Sequence, residues 1–453
     1  MLNSKTDRVL FLPREFFKIF LPLFVQQIMQ AILGSMDVLI LSHRSDTLVA
    51  AAGLSNQLLV AGSMFLGIVE IGMTVLLTQL SGAEEKERIK RVIQNGILLA
   101  VGVALFLNAV IFLAGPQLIS FMQAGEEIQE PALTYLRIVG FSLIFQALLG
   151  SLGAAFRSFS FLKEIVWVSL LVNILNIIGN SLVILTPFPY LGEEIAGVAN
   201  ATLLARVVGA LCLIVLLPRR FSDLNWDLAS WLPKPNRKTI GKLLSLGVPA
   251  GMESVSYNIS QTILTGILAF LGTAVLSSKI YTETLTSYVY TVSATAAMTG
   301  QIMVGRMIGK GEKEEAAKEG ENILRVSTVF VAFIMLLIAL ASFYWARLLS
   351  NTEEVAILTI TLSFWSVLLE PLRCWNSVLV SQLNAAGDVR YPVITGVITN
   401  YILLLPLSYL LAIPCGFGIV GIWLARIADE GIRSVFFYLR WRSGKWKEIE
   451  LFK

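Results

Sequence analysis

Charge, cysteine and histidine are all scarce in this chain of 453 residues: 15% is Asp, Glu, Lys or Arg, with three cysteines and one histidine. So few charges exclude intrinsic disorder, which needs a polar, charge-rich composition. Cys212, Cys374 and Cys415 form no CxxC or Cys/His spacing and sit among apolar residues, so they read as packing groups rather than a disulfide framework or a zinc site. No DxD pair is present, and His43 follows an apolar run in an outer loop, where solvation is its expected state; a membrane glycosyl- or acyltransferase would lack its metal or its catalytic histidine. The Lys and Arg residues are not gathered in an aromatic-interleaved stripe, which excludes a nucleic-acid surface.

Apolar length is abundant instead. Hydrophobic residues make up 56% of the chain and its mean hydropathy is +0.74. Runs of eighteen or more recur throughout, each long enough to cross a hydrocarbon layer of about 30 Å. Periodicity broken by charged or Pro/Gly-rich connections predicts twelve spans, near 16–41, 50–80, 93–114, 132–155, 164–187, 195–217, 243–270, 277–307, 321–345, 356–383, 391–412 and 417–440. No small-residue cleavage site follows the first run, which is read as a retained span. With the N-terminus inside, 27 of the 35 Lys and Arg lie in the tails and even-numbered connections, only Arg44, Lys279 and Arg347 lie outside, and the other five, Arg137, Arg206, Arg373, Arg426 and Arg433, lie within spans. This positive-inside bias predicts a multi-pass plasma-membrane protein with both termini cytoplasmic.

The chain also repeats itself. An offset of 227 residues aligns Pro22 with Pro249, Gly82 with Gly309, Glu85-Lys86-Glu87 with Glu312-Lys313-Glu314, Asn95 with Asn322 and Asn173 with Asn400. Polar and turn residues matching at one offset point to two parallel six-helix repeats, an architecture of secondary transporters. The expected organisation is a first lobe over 1–217, a polar cytoplasmic linker over 218–240 and a second lobe with a basic tail over 241–453. A channel is disfavoured, because scattered single charges supply no ring of filter groups.

Several motifs then carry a resemblance that covers nearly the whole chain: GSMDVLILS with Asp37, LSGAEEKERIKRVIQNG and its partner MIGKGEKEEAAKEGENI, VNILNIIGNSLVI, GVANATLL, and NAAGDVRYPV. Together they resemble the multidrug and toxic compound extrusion (MATE) family. The resemblance implies an all-α integral membrane fold of twelve transmembrane helices in two lobes. It also implies a cavity open to either side in turn, and efflux of organic compounds driven by protons or sodium ions, with no other cofactor. The partners expected are a small organic substrate and the bilayer, with no obligate protein partner.

Carboxylates inside a membrane cost roughly 3 kcal/mol or more on insertion scales, so each is a functional candidate. Asp37 has no basic neighbour within a turn, and the family carries its coupling acid at this place; the resemblance makes it the group that binds the coupling ion. Asn176 and Asn180 are four apart and share a helix face, and Thr202 keeps its hydroxyl. Proton-coupled archaeal-type relatives have Asn then Asp at that spacing, whereas position 180 here is an amide. Plain interhelical hydrogen bonding is the alternative for both asparagines.

Glu70, Glu253, Glu370 and Tyr257 are candidates for a substrate cavity, with Glu253 a second possible sodium ligand. The acids of sodium-linked relatives fall at Arg373 and near Tyr257, and neither position is acidic. Glu370 with Arg373, and Lys279 with Glu283, have ion-pair spacing. Arg426 with Asp429 and Glu430 reads as a self-neutralising cluster. A cationic or amphipathic cargo is the expectation. Its rival is a flippase for a lipid-linked saccharide, which predicts Arg206, Arg373 and Arg426 in a cavity without acidic partners.

Overall fold

A computed structural model describes residues 14–41, 45–122, 125–185, 194–226, 235–350 and 352–452, without the side chains of 32–39 and 184–185. All regular structure among these residues is helical. Twelve helical spans follow one another: α1 Arg14–Leu41, α2 Asp46–Ala83, α3 Lys86–Phe121, α4 Glu126–Ser158, α5 Leu162–Leu185, α6 Glu194–Arg220, α7 Arg237–Ala269, α8 Thr273–Gly309, α9 Lys313–Leu349, α10 Glu353–Ala385, α11 Arg390–Ala412 and α12 Gly418–Arg442. His43, Arg44 and residues 227–234 of the interlobe segment lie outside the description.

Eight of these helices are long and apolar enough to cross a membrane by length and composition. Side chains of 32–39 in α1 are left out of the description, while in α7, α8 and α12 hydroxyl, amide and charged residues interrupt the apolar sequence. These last three are among the four helices that wall the second lobe's cavity. The charged runs after Gly82 and Gly309, AEEKERIKR and GKGEKEEAAKE, have the amphipathic pattern of solvated cytoplasmic connector helices. They are the first turns of α3 and α9, which extend seven or eight residues ahead of the apolar stretch. Glu, Lys and Arg are good helix formers, so the helix does not stop where the apolar sequence stops.

The 227-residue offset holds in the backbone. Displaced by it, the starts of α2, α3 and α4 fall on Thr273, Lys313 and Glu353, the starts of α8, α9 and α10. The turns repeat as well. Glu84 (φ 54°) and Gly311 (φ 84°) are left-handed at equivalent places, as are Ser160 (φ 57°) and Gly387 (φ 86°). Phe161 N donates to Phe156 O and Asp388 N to Leu383 O, each at 2.9 Å.

Tertiary contacts group the chain into two units, one of Val25–Gly251 and one of Met1–Phe24 with Met252–Lys453. The divisions fall inside α1 and α7, two residues after Pro22 and Pro249, where each ring removes a helical hydrogen bond. In the first unit α7 meets α2 closely: a β-carbon at Gly72 or Gly247 would run into the carbonyl of Leu243 or Ile68. Apolar packing in the second unit centres on Leu264, Leu268, Leu362, Leu369, Leu404, Ile422 and Trp423.

Candidate functional site

Each unit encloses its own cavity. The first, about 480 Å³, is walled by α1, α2, α4, α5 and α6, and the second, about 490 Å³, by α7, α8, α10 and α12. The repeat relates their walls: Gln26, Gln30, Ser63, Gln146 and Arg206 of the first stand where Glu253, Tyr257, Tyr290, Arg373 and Arg433 stand in the second.

Glu70 of α2 projects into the first cavity and lies on the backbone of α4, where a β-carbon at Gly150 would collide with its carboxylate. Its Oε2 is 3.6 Å from Arg157 Nη2. Arg157, two residues beyond the end predicted for the fourth span, is buried in α4 and lines the cavity. Arg206 Nη1 donates to Ser142 Oγ at 2.7 Å, and Gln146 Nε2 donates to Ser63 Oγ at 3.1 Å.

Three candidate ion-coupling residues come together in this lobe. Asn180 Nδ2 donates to Asn176 Oδ1 at 3.3 Å, Asn176 Nδ2 donates to Thr202 Oγ1 at 2.8 Å, and Thr202 Oγ1 donates to Val198 O at 3.2 Å. All three are buried, and Asn176 and Thr202 line the cavity. Asp37 lies on α1, but its side chain is outside the described residues.

The second cavity is built around Arg433. Its Nη2 lies 2.6 Å from Asp429 Oδ2 and 3.1 Å from Glu430 Oε1. Asn376 Nδ2 donates to the Glu430 carboxylate and, at 3.0 Å, to its carbonyl, while Ser434 Oγ donates to Asn376 Oδ1 at 3.1 Å. Glu253 reaches the same place from α7: a β-carbon at Gly396 would lie 3.6 Å from Glu253 Oε1 and 4.0 Å from Arg433 Nη1. Three carboxylates, Glu253, Asp429 and Glu430, therefore surround one guanidinium.

Glu253 and Tyr257 line this cavity. Glu370 is 1% exposed and stands behind Arg373, accepting from its Nη1 at 2.8 Å, while the guanidinium lies over the Tyr290 ring at 4.6 Å. Arg426 does not neutralise Asp429 or Glu430. It pairs with Glu283 of α8 at 3.1 Å, beside the 2.7 Å Lys279–Glu283 pair, and stacks on Trp423. Asp429 and Glu430 turn to Arg433, one helical turn onward. Sequence spacing alone could not choose between the two arginines, because both lie within a turn of the acids on α12.

Cys212, Cys374 and Cys415 are free thiols. Among the described residues no group of three or more His, Cys, Asp or Glu is arranged to hold a metal ion.

The profile of the MatE family matches residues 22–182 and 249–410. "Uncharacterized transporter YisQ" of Bacillus subtilis (strain 168) is 33% identical over 427 residues, 94% of this chain and 93% of that protein. A "Probable multidrug resistance protein NorM" of Thermotoga maritima is 25% identical over 449 residues, 96% of this chain and 93% of that protein. Among solved structures, an outward-facing multidrug resistance MATE family transporter of the MOP superfamily aligns with a TM-score of 0.85 at 16% identity over 98% of both chains. A MATE crystal structure in complex with MaD3S aligns with a TM-score of 0.85 at 17% identity over 95% of both. These structural matches establish the fold.

Proposed function

This chain belongs to the MatE family, and from that premise we propose that it exports small organic compounds in exchange for protons or sodium ions by alternating access, with both termini cytoplasmic. The family is one of transporters, and the chain is a multi-pass membrane protein. The observation that carries ion coupling is the excess of acid about the second cavity. Asp429 and Glu430 pair with Arg433 and Glu253 lies beside it, while Glu370 is occupied by Arg373. Buried charge left uncompensated is strongly destabilising, so such a cluster takes up a proton, and exchanging it between the two faces supplies a driving ion. Tyr257, Tyr290 and Phe437 give the same cavity aromatic faces for an organic cation.

By the resemblance Asp37 serves as the coupling acid of the first lobe, together with Asn176, Asn180 and Thr202. The relatives named as multidrug resistance proteins support a drug cargo. A lipid-linked saccharide would need at least two of Arg206, Arg373 and Arg426 in a cavity without acidic partners, yet Glu370 holds Arg373 and Glu283 holds Arg426, while Arg206 of the first cavity bonds the Ser142 hydroxyl.

Proteoliposomes loaded with a fluorescent organic cation test the proposal under an imposed proton gradient and then a sodium gradient. One gradient is expected to drive efflux, and Asp37→Asn to abolish it. Cation that moves under neither gradient in the wild type would sink the antiport proposal.

A further inference from the structure

The two cavities occupy the same scaffold yet differ in chemistry, and that contrast identifies what the first one selects; the step rests on the reading of this cavity as a cargo site. Where the second lobe presents Glu253 and Arg373, the first presents Gln26 and Gln146. The amide of Gln26 is the informative group. The residue is 6% exposed, its side chain lines the cavity, and among the described residues no group hydrogen-bonds it. A buried polar group normally has a partner, so an amide held open toward a cavity implies that the partner is brought by what binds there.

Charge argues in the same direction. Among the described residues the lining has one carboxylate, Glu70, against two guanidiniums, Arg157 and Arg206. A cationic cargo finds no uncompensated acid among them. Among the described residues Tyr135 alone supplies an aromatic ring to this lining, against three in the second cavity. Primary amides offer donors and an acceptor at once, and so match hydroxyl groups, which need both. Arg206 already bonds one hydroxyl, that of Ser142. A volume of about 480 Å³ lies within the range of cavities that enclose small molecules.

We infer that the first-lobe cavity takes a non-cationic, hydroxyl-rich compound of the sugar or glycoside class, recognised by Gln26 and its neighbouring amides. The two lobes then differ in what they accept, with cations confined to the acidic second cavity.

Equilibrium binding to the full-length protein in lipid nanodiscs, free of glycoside detergent, tests this with 4-nitrophenyl-β-glucoside and tetraphenylphosphonium as probes. The glucoside is expected to bind the wild type and to lose about tenfold in affinity in Gln26→Leu, the effect of one neutral hydrogen bond. Gln26→Glu, which keeps the shape of the side chain and installs the acid of the equivalent position, should retain the glucoside and gain affinity for tetraphenylphosphonium. The inference is overturned if the wild type does not bind the glucoside at millimolar concentration, or if Gln26→Leu weakens tetraphenylphosphonium instead. Either result leaves gradient-driven cation efflux standing. Glucoside binding without any driven efflux would remove the antiport proposal alone.

Discussion

At the scale of single residues, the repeat supplies its own comparison set. Glu84 and Gly311 close equivalent turns with left-handed backbone, and in both the amide two residues on donates back to the carbonyl, Lys86 to Glu84 and Lys313 to Gly311 at 3.0 Å. A residue with a β-carbon costs roughly 1–2 kcal/mol in that conformation and glycine does not. Glu84→Gly should therefore stabilise the protein by about 1 kcal/mol, after the greater freedom of glycine in the unfolded chain is subtracted. A rise in the thermal unfolding midpoint in nanodiscs checks it, and a fall would show that the Glu84 side chain contributes more than its backbone costs. The acids of the cavities were legible in the sequence because a carboxylate inside an apolar run is conspicuous. Their partners were not. Arg157 meets Glu70 from another helix, and Arg426 meets Glu283 from another, so each pairing depends on packing that spacing along one helix does not encode.

At the scale of elements, the hydropathy pattern located all twelve spans and the repeat, since the apolar stretches and turn residues recur at one interval. It could not anticipate an irregular helix. Within α11, Thr399–Leu404 forms a π-helical turn just before Pro406, and Asn400 sits in it. Pro406 has no amide hydrogen to give to the preceding turn, which is a physical reason for the register to widen there. Asn400 is 1% exposed and neither its Nδ2 nor its Oδ1 has a partner, while its equivalent Asn173 lines the first cavity. Leaving a buried amide unsatisfied costs about 1–3 kcal/mol. Asn400→Leu removes that cost with little change in size, and is expected to raise the unfolding midpoint by a corresponding amount in a thermal scan. Unchanged or lowered stability would mean that the amide is satisfied by a group bound from outside the chain.

At the scale of the whole molecule, each six-helix repeat is followed by a segment that folds back onto its own lobe. After α6, Phe221 is buried in an aromatic cluster, with ring centroids 5.6 Å from Phe156, 5.0 Å from Phe159 and 5.3 Å from Phe161. Lys86 reaches Asp223 at 3.3 Å, and Lys90 donates to Asn225 O at 2.7 Å. After α12, Trp446 is buried and stacks on Trp441 with centroids 4.4 Å apart. Lys313, the repeat partner of Lys86, donates to Lys447 O at 2.5 Å. Leu451 covers the left-handed turn at Gly387, where a β-carbon would come within 2.8 Å of its Cδ2. The Lys447 ammonium also hydrogen-bonds Glu314 at 2.7 Å and holds that exposed carboxyl below its usual range. This tie is thus present at neutral pH and lost as the pH falls through the lowered value. The two straps differ in chemistry but fasten equivalent parts, the start of the third helix and the turn between the fourth and fifth helices of their own repeat. Each should therefore protect its own lobe. Truncating a buried Trp or Phe to Ala costs about 3–5 kcal/mol, so Trp446→Ala should speed amide exchange about a hundredfold in the first turns of α9 and at residues 386–389. The first-lobe turns at 84–90 and 157–161 should be unchanged, and Phe221→Ala should give the converse pattern. Hydrogen exchange read by mass spectrometry on both variants decides the matter. Acceleration spread evenly over both lobes in either variant would show that the straps support the molecule as one cooperative unit.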